Sequence, residues 1–334
     1  VDEELTHSGI EFASDLGAWI ASHYADVERI LRDTATFSSA GAVTTNDVAP
    51  ALASLSGGRW PPVMLTETDG ALHRELRRLL QPAFAPGQLR SLTPRIEILA
   101  QELAATLAPD GEADVIERFA WPFPINVLGG MLGVPADRLP DLHRWSEDLL
   151  ALLDARAPAE QLRTYAEGVS EMRRFVANAM QAGGTGLLPG LLRAGLVAGF
   201  ERELLVELPL GLIAAGHLTV TRSLGNGVMR LLADRSLLAS LRREPARLTG
   251  FVEELLRIDA PTQYLFRTVT RDVVFGDVQL SAGARVAVHY GRANRDPTVF
   301  SDPQVLNCDR DGAKQHLAFG KGRHFCLGAP LARI

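Results

Sequence analysis

Cys326 stands in the run Phe319–Gly328, FGKGRHFCLG, which also holds Gly320 and Gly322, with the basic residues Lys321, Arg323 and His324 just before the thiol. Glycines let a backbone turn tightly and approach a flat ligand. The residues after the thiol, LGAPLARI, read as the first turns of a helix. A thiol at a helix N-terminus beside cations is drawn towards thiolate. A thiolate held by backbone N–H groups suits an axial ligand to haem iron; the alternative is a buried structural cysteine in a glycine-rich turn. Three further groupings could do chemistry. His73 and Arg77 are four apart, so they share a helical face and can bind one anion, unless they belong to an ordinary solvated basic face. Ala214–Thr221, AAGHLTVT, places a glycine and several hydroxyls in mid-helix, which costs helix stability and makes sense where a helix must open locally for a ligand. Glu254 and Arg257 are three apart in EELLR and share a face.

The spacing of Phe319, Gly322, His324, Cys326 and Gly328 resembles the cysteine loop of the cytochrome P450 family. The resemblance extends along nearly the whole chain in the family's order. It implies haem b as cofactor, with Cys326 as the axial thiolate and Phe319, Gly320 and Gly328 shaping the loop around it. The segment LHRELRRLLQPAF resembles the helix whose His73 and Arg77 hold a haem propionate, and Arg267 and His324 match the other family propionate ligands. AAGHLTVT resembles the oxygen-binding groove, with Ala215, Gly216 and Thr219 in its positions. The family's acid before the threonine is here Leu218. Leucine carries no proton, so delivery to oxygen would run through water, His217 or Thr221, or be slow; a silent difference with the relay intact through water is the other reading. Glu254 and Arg257 resemble the family's structural pair, with Arg310 as third member; on spacing alone they also fit a surface pair. Trp60, Met64, Leu65, Ala214, Leu218, Gln263 and Leu265 fall where family members contact substrate, although ordinary packing explains the loop residues among them equally well.

These residues need elements to position them. Ala18–Ser22 reads as a strand and Tyr24–Arg32 as a helix with Val27, Ile30 and Leu31 on one face. Phe37–Gly58, rich in Ser, Thr, Ala and Gly, reads as loop. Helices are expected over Asp69–Leu80, Ser91–Leu107, Ala113–Leu132, Arg138–Leu153 and Gln161–Ala182, with a flexible joint at Gly183–Gly190. A long helix spans Glu201–Asp234, bent or truly started at Pro209, and another covers Arg247–Ile258. Across Thr262–Val288 the pattern switches to alternation rich in valine, so a small sheet is expected with turns at Gly276–Asp277 and Ala282–Gly283. The fold class is mainly α with a small β region, a P450-like helical fold around a buried haem. Residues 1–334 read as a single haem-binding catalytic domain, shorter at both ends than the family pattern.

The chain has 334 residues and net charge −6, enough length to bury a large core. No block of Lys/Arg with interleaved aromatics points to nucleic acid. No charge-free apolar run of membrane length appears, nor a leader-like start, so a cytoplasmic monomer is expected. Two cysteines, Cys308 and Cys326, make no disulfide scaffold or zinc spacing. The resemblance implies a haem-thiolate monooxygenase that inserts one oxygen atom from O2 into a small apolar molecule, free or carrier-bound, as in natural-product biosynthesis. Electrons would come from a ferredoxin and ferredoxin reductase or a flavodoxin-type donor. Leu218 keeps open an enzyme that uses peroxide or catalyses a non-oxygenating rearrangement or coupling. A haem-binding protein without catalysis is a third reading, against which Thr219 counts.

Overall fold

The computed structural model describes residues 10–40, 53–54, 63–107, 111–153, 160–184 and 186–334. Trp60 lies outside the described residues. The chain divides into two compact units, each with its own architecture. The first comprises Val1–Val43, Asn226–Ala329 and Arg333; the second comprises Thr44–Gly225, Pro330–Ala332 and Ile334.

The first unit carries every described strand. β1 (Glu11–Ala13), β2 (Ala18–Ala21), β3 (Phe37–Ser38), β4 (Tyr264–Val269) and β7 (Arg285–His289) form a five-stranded sheet in the order β1-β2-β7-β4-β3. β5 (Val273–Phe275) and β6 (Val278–Leu280) make a separate antiparallel hairpin. Two members were not anticipated. β1 lies in a mixed stretch without alternation, and β3 is a two-residue piece of the serine-rich loop, defined only by its partners Val269 and Thr268. Helix α1 (Tyr24–Arg32) buries Tyr24, Val27, Ile30 and Leu31. These join Phe37, Phe275, Leu280, Val286, Val288, Tyr290 and Leu317 in one apolar core.

The second unit is helical: α2 (Gly70–Leu80), α3 (Pro86–Leu107), α4 (Pro122–Leu132), α5 (Leu139–Leu153), α6 (Leu162–Gln181), α7 (Leu187–Val197) and most of α8 (Arg202–Ala233). Leu142, Trp145 and Leu149 of α5 and Val169, Met172, Val176 and Met180 of α6 recur at helical spacing and are all buried. A π-helical turn at Ile116–Ala120 separates Ala113 from α4, and Pro122 opens α4 at a position where its missing N–H costs nothing. Pro209 does not start α8, which begins at Arg202 and continues through the proline. Among the described residues α8 alone is long and apolar enough to cross a membrane by length and composition, and 61% of that stretch is buried inside the protein, as for a core helix. The first unit also contains α9 (Arg235–Arg243), α10 (Leu248–Ile258) and the short α11 (Tyr290–Ala293).

Candidate active site

In the first unit the cysteine loop is tied by its own backbone. The Cys326 N–H donates to the Phe319 carbonyl at 2.8 Å, and the Gly320 N–H to Leu317 O at 2.8 Å. Gly322 has φ +67°, and a Cβ there would stand 3.0 Å from Leu31 O of α1. Only glycine meets both demands, so this residue seats the loop on α1; Lys321 Nζ adds a contact 3.6 Å from Glu28. The helix expected after Cys326 does not form within the described residues. Ala329 N bonds back to Cys326 O, three residues away, Pro330 has no N–H to give, and Leu331–Arg333 is a 3-10 turn.

Arg267 sits on β4 opposite Val286 of β7 and is only 3% exposed. Its Nη1 donates to Phe266 O at 2.8 Å, while Nε, also buried, has no hydrogen-bond partner among the described residues. A buried guanidinium N–H without an acceptor is costly, so this position fits an anion such as a haem carboxylate. His324 is half-buried in the same loop as Cys326. Gln263 does not present its amide to a ligand: Nε2 donates to Ala260 O at 2.7 Å, and its Oε1 lies 2.1 Å from where a Gly291 Cβ would be. It closes the turn after α10. Leu265, two residues on, is half-buried.

The structure brings Glu254, Arg257 and Arg310 together. Arg257 forks onto Glu254 through Nε at 2.6 Å and Nη2 at 2.9 Å, and Arg310 Nε adds a bond at 3.0 Å. Glu254 and Arg257 are fully buried. Arg257 also donates to the carbonyls of Asn294, Pro303 and Val305, and Asn307 N–H donates to Glu254. Burial alone would push the Glu254 pKa up; Arg257, the Asn307 N–H and Arg310 outweigh it, and the pKa is lowered. The cluster therefore pins the meander between β7 and the cysteine loop to α10.

A second carboxylate was missed from the sequence. Glu253 is 2% exposed. It accepts from Arg333 Nε at 2.6 Å and Nη2 at 3.0 Å, and from His316 Nε2 at 3.1 Å. Burial pushes its pKa up, but the bonds from His316 and Arg333 prevail and hold it at about 2. The doubled glutamate of EELLR, with a histidine three residues before Phe319, was the available signal.

In the second unit, α2 buries His73, Leu76 and Leu80, leaves Arg77 half-buried, and exposes Arg74 and Arg78. His73 and Arg77 thus share the inner side. On α8, Thr219 Oγ1 donates to Ala215 O at 2.7 Å, Thr221 Oγ1 to His217 O at 3.0 Å, and Ser223 Oγ to Thr219 O at 3.1 Å. This ladder satisfies the hydroxyl protons within the helix and leaves their oxygens as acceptors. A Cβ on Gly211 would meet Val63 O at 2.8 Å and Met64 Cγ at 3.2 Å, so the segment carrying Met64 and Leu65 lies against α8 one turn before Ala214–Thr219.

His217 does not serve as an available proton relay. A carbonyl only accepts, so Nε2 carries the proton and donates to Trp121 O at 3.0 Å; Nδ1 then accepts from Ser146 Oγ at 2.7 Å. Burial drives its pKa down to about 4, with the Trp121 bond opposing and His143 assisting. His217 is a neutral, doubly bonded strut from α8 to α5.

The chain is similar to known proteins along nearly its whole length. Residues 197–334, from α8 through the cysteine loop, match the family model Cytochrome P450. Cytochrome P450 107B1 of Saccharopolyspora erythraea is 36% identical over 335 residues, covering 97% of this chain and 80% of that protein. The 6-deoxyerythronolide B hydroxylase of the same organism is 33% identical over 272 residues, covering 80% of this chain and 66% of that protein. Among solved structures, cytochrome P450 CYP109Q5 from Chondromyces apiculatus superposes with a TM-score of 0.83 at 29% identity, covering 98% of this chain and 81% of that one.

Proposed function

The chain belongs to the cytochrome P450 family, and on that footing we propose how its residues divide the work of a haem-thiolate monooxygenase and what it oxidises. Haem, when bound, supplies the activation of O2, and thiolate ligation favours O–O cleavage. Cys326 holds the iron. Arg267, with its spare buried N–H, takes one propionate together with His324, and His73 and Arg77 take the other. The observation that carries this assignment is the pairing of a backbone-anchored Cys326 with the unsatisfied Nε of Arg267 in one unit.

On the oxygen side, Thr219 offers an acceptor oxygen while its proton is held on Ala215 O. With Leu218 beside it and His217 committed to Trp121 and Ser146, no titratable side chain of the Ala214–Thr221 segment is left to resupply protons. Water held by the hydroxyls is then the route.

Family members draw electrons from partner proteins. A ferredoxin with its reductase, or a flavodoxin-type donor, fills that role here, with the exposed Arg74 and Arg78 facing an acidic donor. For substrate, kinship with a 6-deoxyerythronolide B hydroxylase supports a largely apolar macrolide-type polyketide, bound near Met64, Leu65, Ala214, Leu218 and Leu265.

The test is a spin-state titration with macrolide aglycones, steroids and acyl-carrier-bound fatty acids. It is followed by turnover with a ferredoxin pair and product identification. Hydroxylated macrolide from O2 supports the reading, and a spin shift confined to the other two classes overturns the substrate assignment. Leu218 favours one second reading, an enzyme that works with peroxide. Turnover with peroxide well above that with the ferredoxin pair would support it, and near-equal rates with both would leave it without support.

A further inference from the structure

Phe319 is the residue whose carbonyl receives the Cys326 N–H, and its side chain is boxed. The Arg333 guanidinium lies 4.5 Å over the ring, and the His316 ring is 5.7 Å from it. Both neighbours are bound by a single carboxylate. Arg333 forks onto Glu253, and His316 Nε2 donates to it. The other His316 nitrogen, Nδ1, accepts from the Ala318 N–H at 3.2 Å, so His316 needs only one proton to satisfy both contacts. The next backbone group, the Leu317 N–H, donates to Asn294 Oδ1 at 2.6 Å. From His316 to Phe319 the chain is therefore fixed by side chains on every side the described residues show.

We infer that Glu253 is a positioning residue for the cysteine ligand: through His316 and Arg333 it clamps Phe319, and the Phe319 carbonyl in turn sets the hydrogen bonding and electrostatics around the Cys326 sulfur. Hydrogen bonds and charge next to a ligating sulfur tune the potential of its iron. In the clamp one carboxylate faces one guanidinium and the His316 ring. Removing the carboxylate charge frees Phe319 and at the same time leaves the Arg333 cation uncompensated beside the loop. Both changes weaken thiolate donation, and the added positive charge favours the ferrous state.

This inference rests on the haem-thiolate reading, and the experiment separates the two. Wild type, Glu253→Gln, Glu253→Asp and Arg333→Lys are prepared with haem bound. Each is then measured for its reduced CO spectrum and its haem midpoint potential. A red-shifted CO band in wild type carries the haem reading, and its absence overturns that reading and not the clamp geometry. Given that band, Glu253→Gln shows a several-fold larger share of the shorter-wavelength CO form and a higher midpoint. Glu253→Asp, which keeps the charge, lies between Glu253→Gln and wild type. Arg333→Lys keeps charge and pairing but loses the planar fork over Phe319. It retains the fold and moves the spectrum in the same direction by less, so the inference stays testable if Glu253→Gln folds poorly. Arg247→Gln, which breaks an exposed ion pair with Asp309 in the same unit, leaves both readouts unchanged. Folded Glu253→Gln or Arg333→Lys protein with wild-type spectrum and midpoint overturns the inference, even if its melting temperature falls.

Discussion

At the scale of residues, the departures from the family pattern carry the sharpest consequences. Leu218, which on the proposed reading stands where the family has an acid, cannot hold a proton. Leu218→Glu is expected to raise oxygen-driven turnover several-fold relative to peroxide-driven turnover, measured on the same substrate; an unchanged ratio would show that water already supplies the relay. Asp148 illustrates a second kind of residue. It is buried on α5 against Gly168 of α6. Burial pushes its pKa from 3.8 up to about 6, with Arg144 opposing. A raised carboxyl pKa favours the protonated form in the fold, so this contribution is present below the ordinary value and lost as pH rises through 6. Asp148→Asn is therefore expected to stabilise by about 1–2 kcal/mol at pH 8 in urea melts, with the gain gone below pH 4. His217 and His289, both lowered to about 4 by burial, act with the opposite sign: their contribution is full above the ordinary histidine range and is lost as pH falls from there towards 4.

At the scale of elements, buried polar clusters do the locating. Glu254, Arg257 and Arg310 fix the meander to α10, and Gly322 fixes the cysteine loop to α1. Arg257→Ala leaves a buried carboxylate without its fork and is expected to cost about 3–5 kcal/mol, read as a fall in the denaturation midpoint. Gly322→Ala meets a left-handed φ and the Leu31 carbonyl at once. It is expected to cost about 1–2 kcal/mol from the backbone conformation alone and to speed haem loss to an apo-globin acceptor; wild-type haem retention would show that the loop does not depend on this seat. These elements also mark what could be read from sequence. The amphipathic helices α5, α6 and α10 and the valine-rich sheet announce themselves by period, and α8 by its length and apolar composition. The EELLR pair is visible by spacing, but its burial is not, because the same spacing occurs on exposed helices. β3 is invisible because two residues have no period, and Glu253 because its partners are 63 and 80 positions away. After Cys326, where a helix is expected, Leu331–Arg333 forms a 3-10 turn.

At the scale of the whole molecule, each unit is held by its own buried contacts. The first carries Cys326, Arg267 and the clusters around Glu253 and Glu254. The second carries the α8 hydroxyl ladder and the His73 side of α2. Motif residues close in sequence to Cys326 were legible through their spacing. The role of His217 was not, since its partners Trp121 and Ser146 lie on elements that only the fold brings alongside α8. The central claim, that Cys326 ligates haem iron as a thiolate, is tested most directly by the absorption spectrum of the reduced, CO-bound protein. Wild type is expected to give the strongly red-shifted band of a thiolate-ligated haem, and Cys326→Ser to lose it. A folded, haem-loaded wild type without that band, or a Cys326→Ser protein that keeps it, would contradict the assignment.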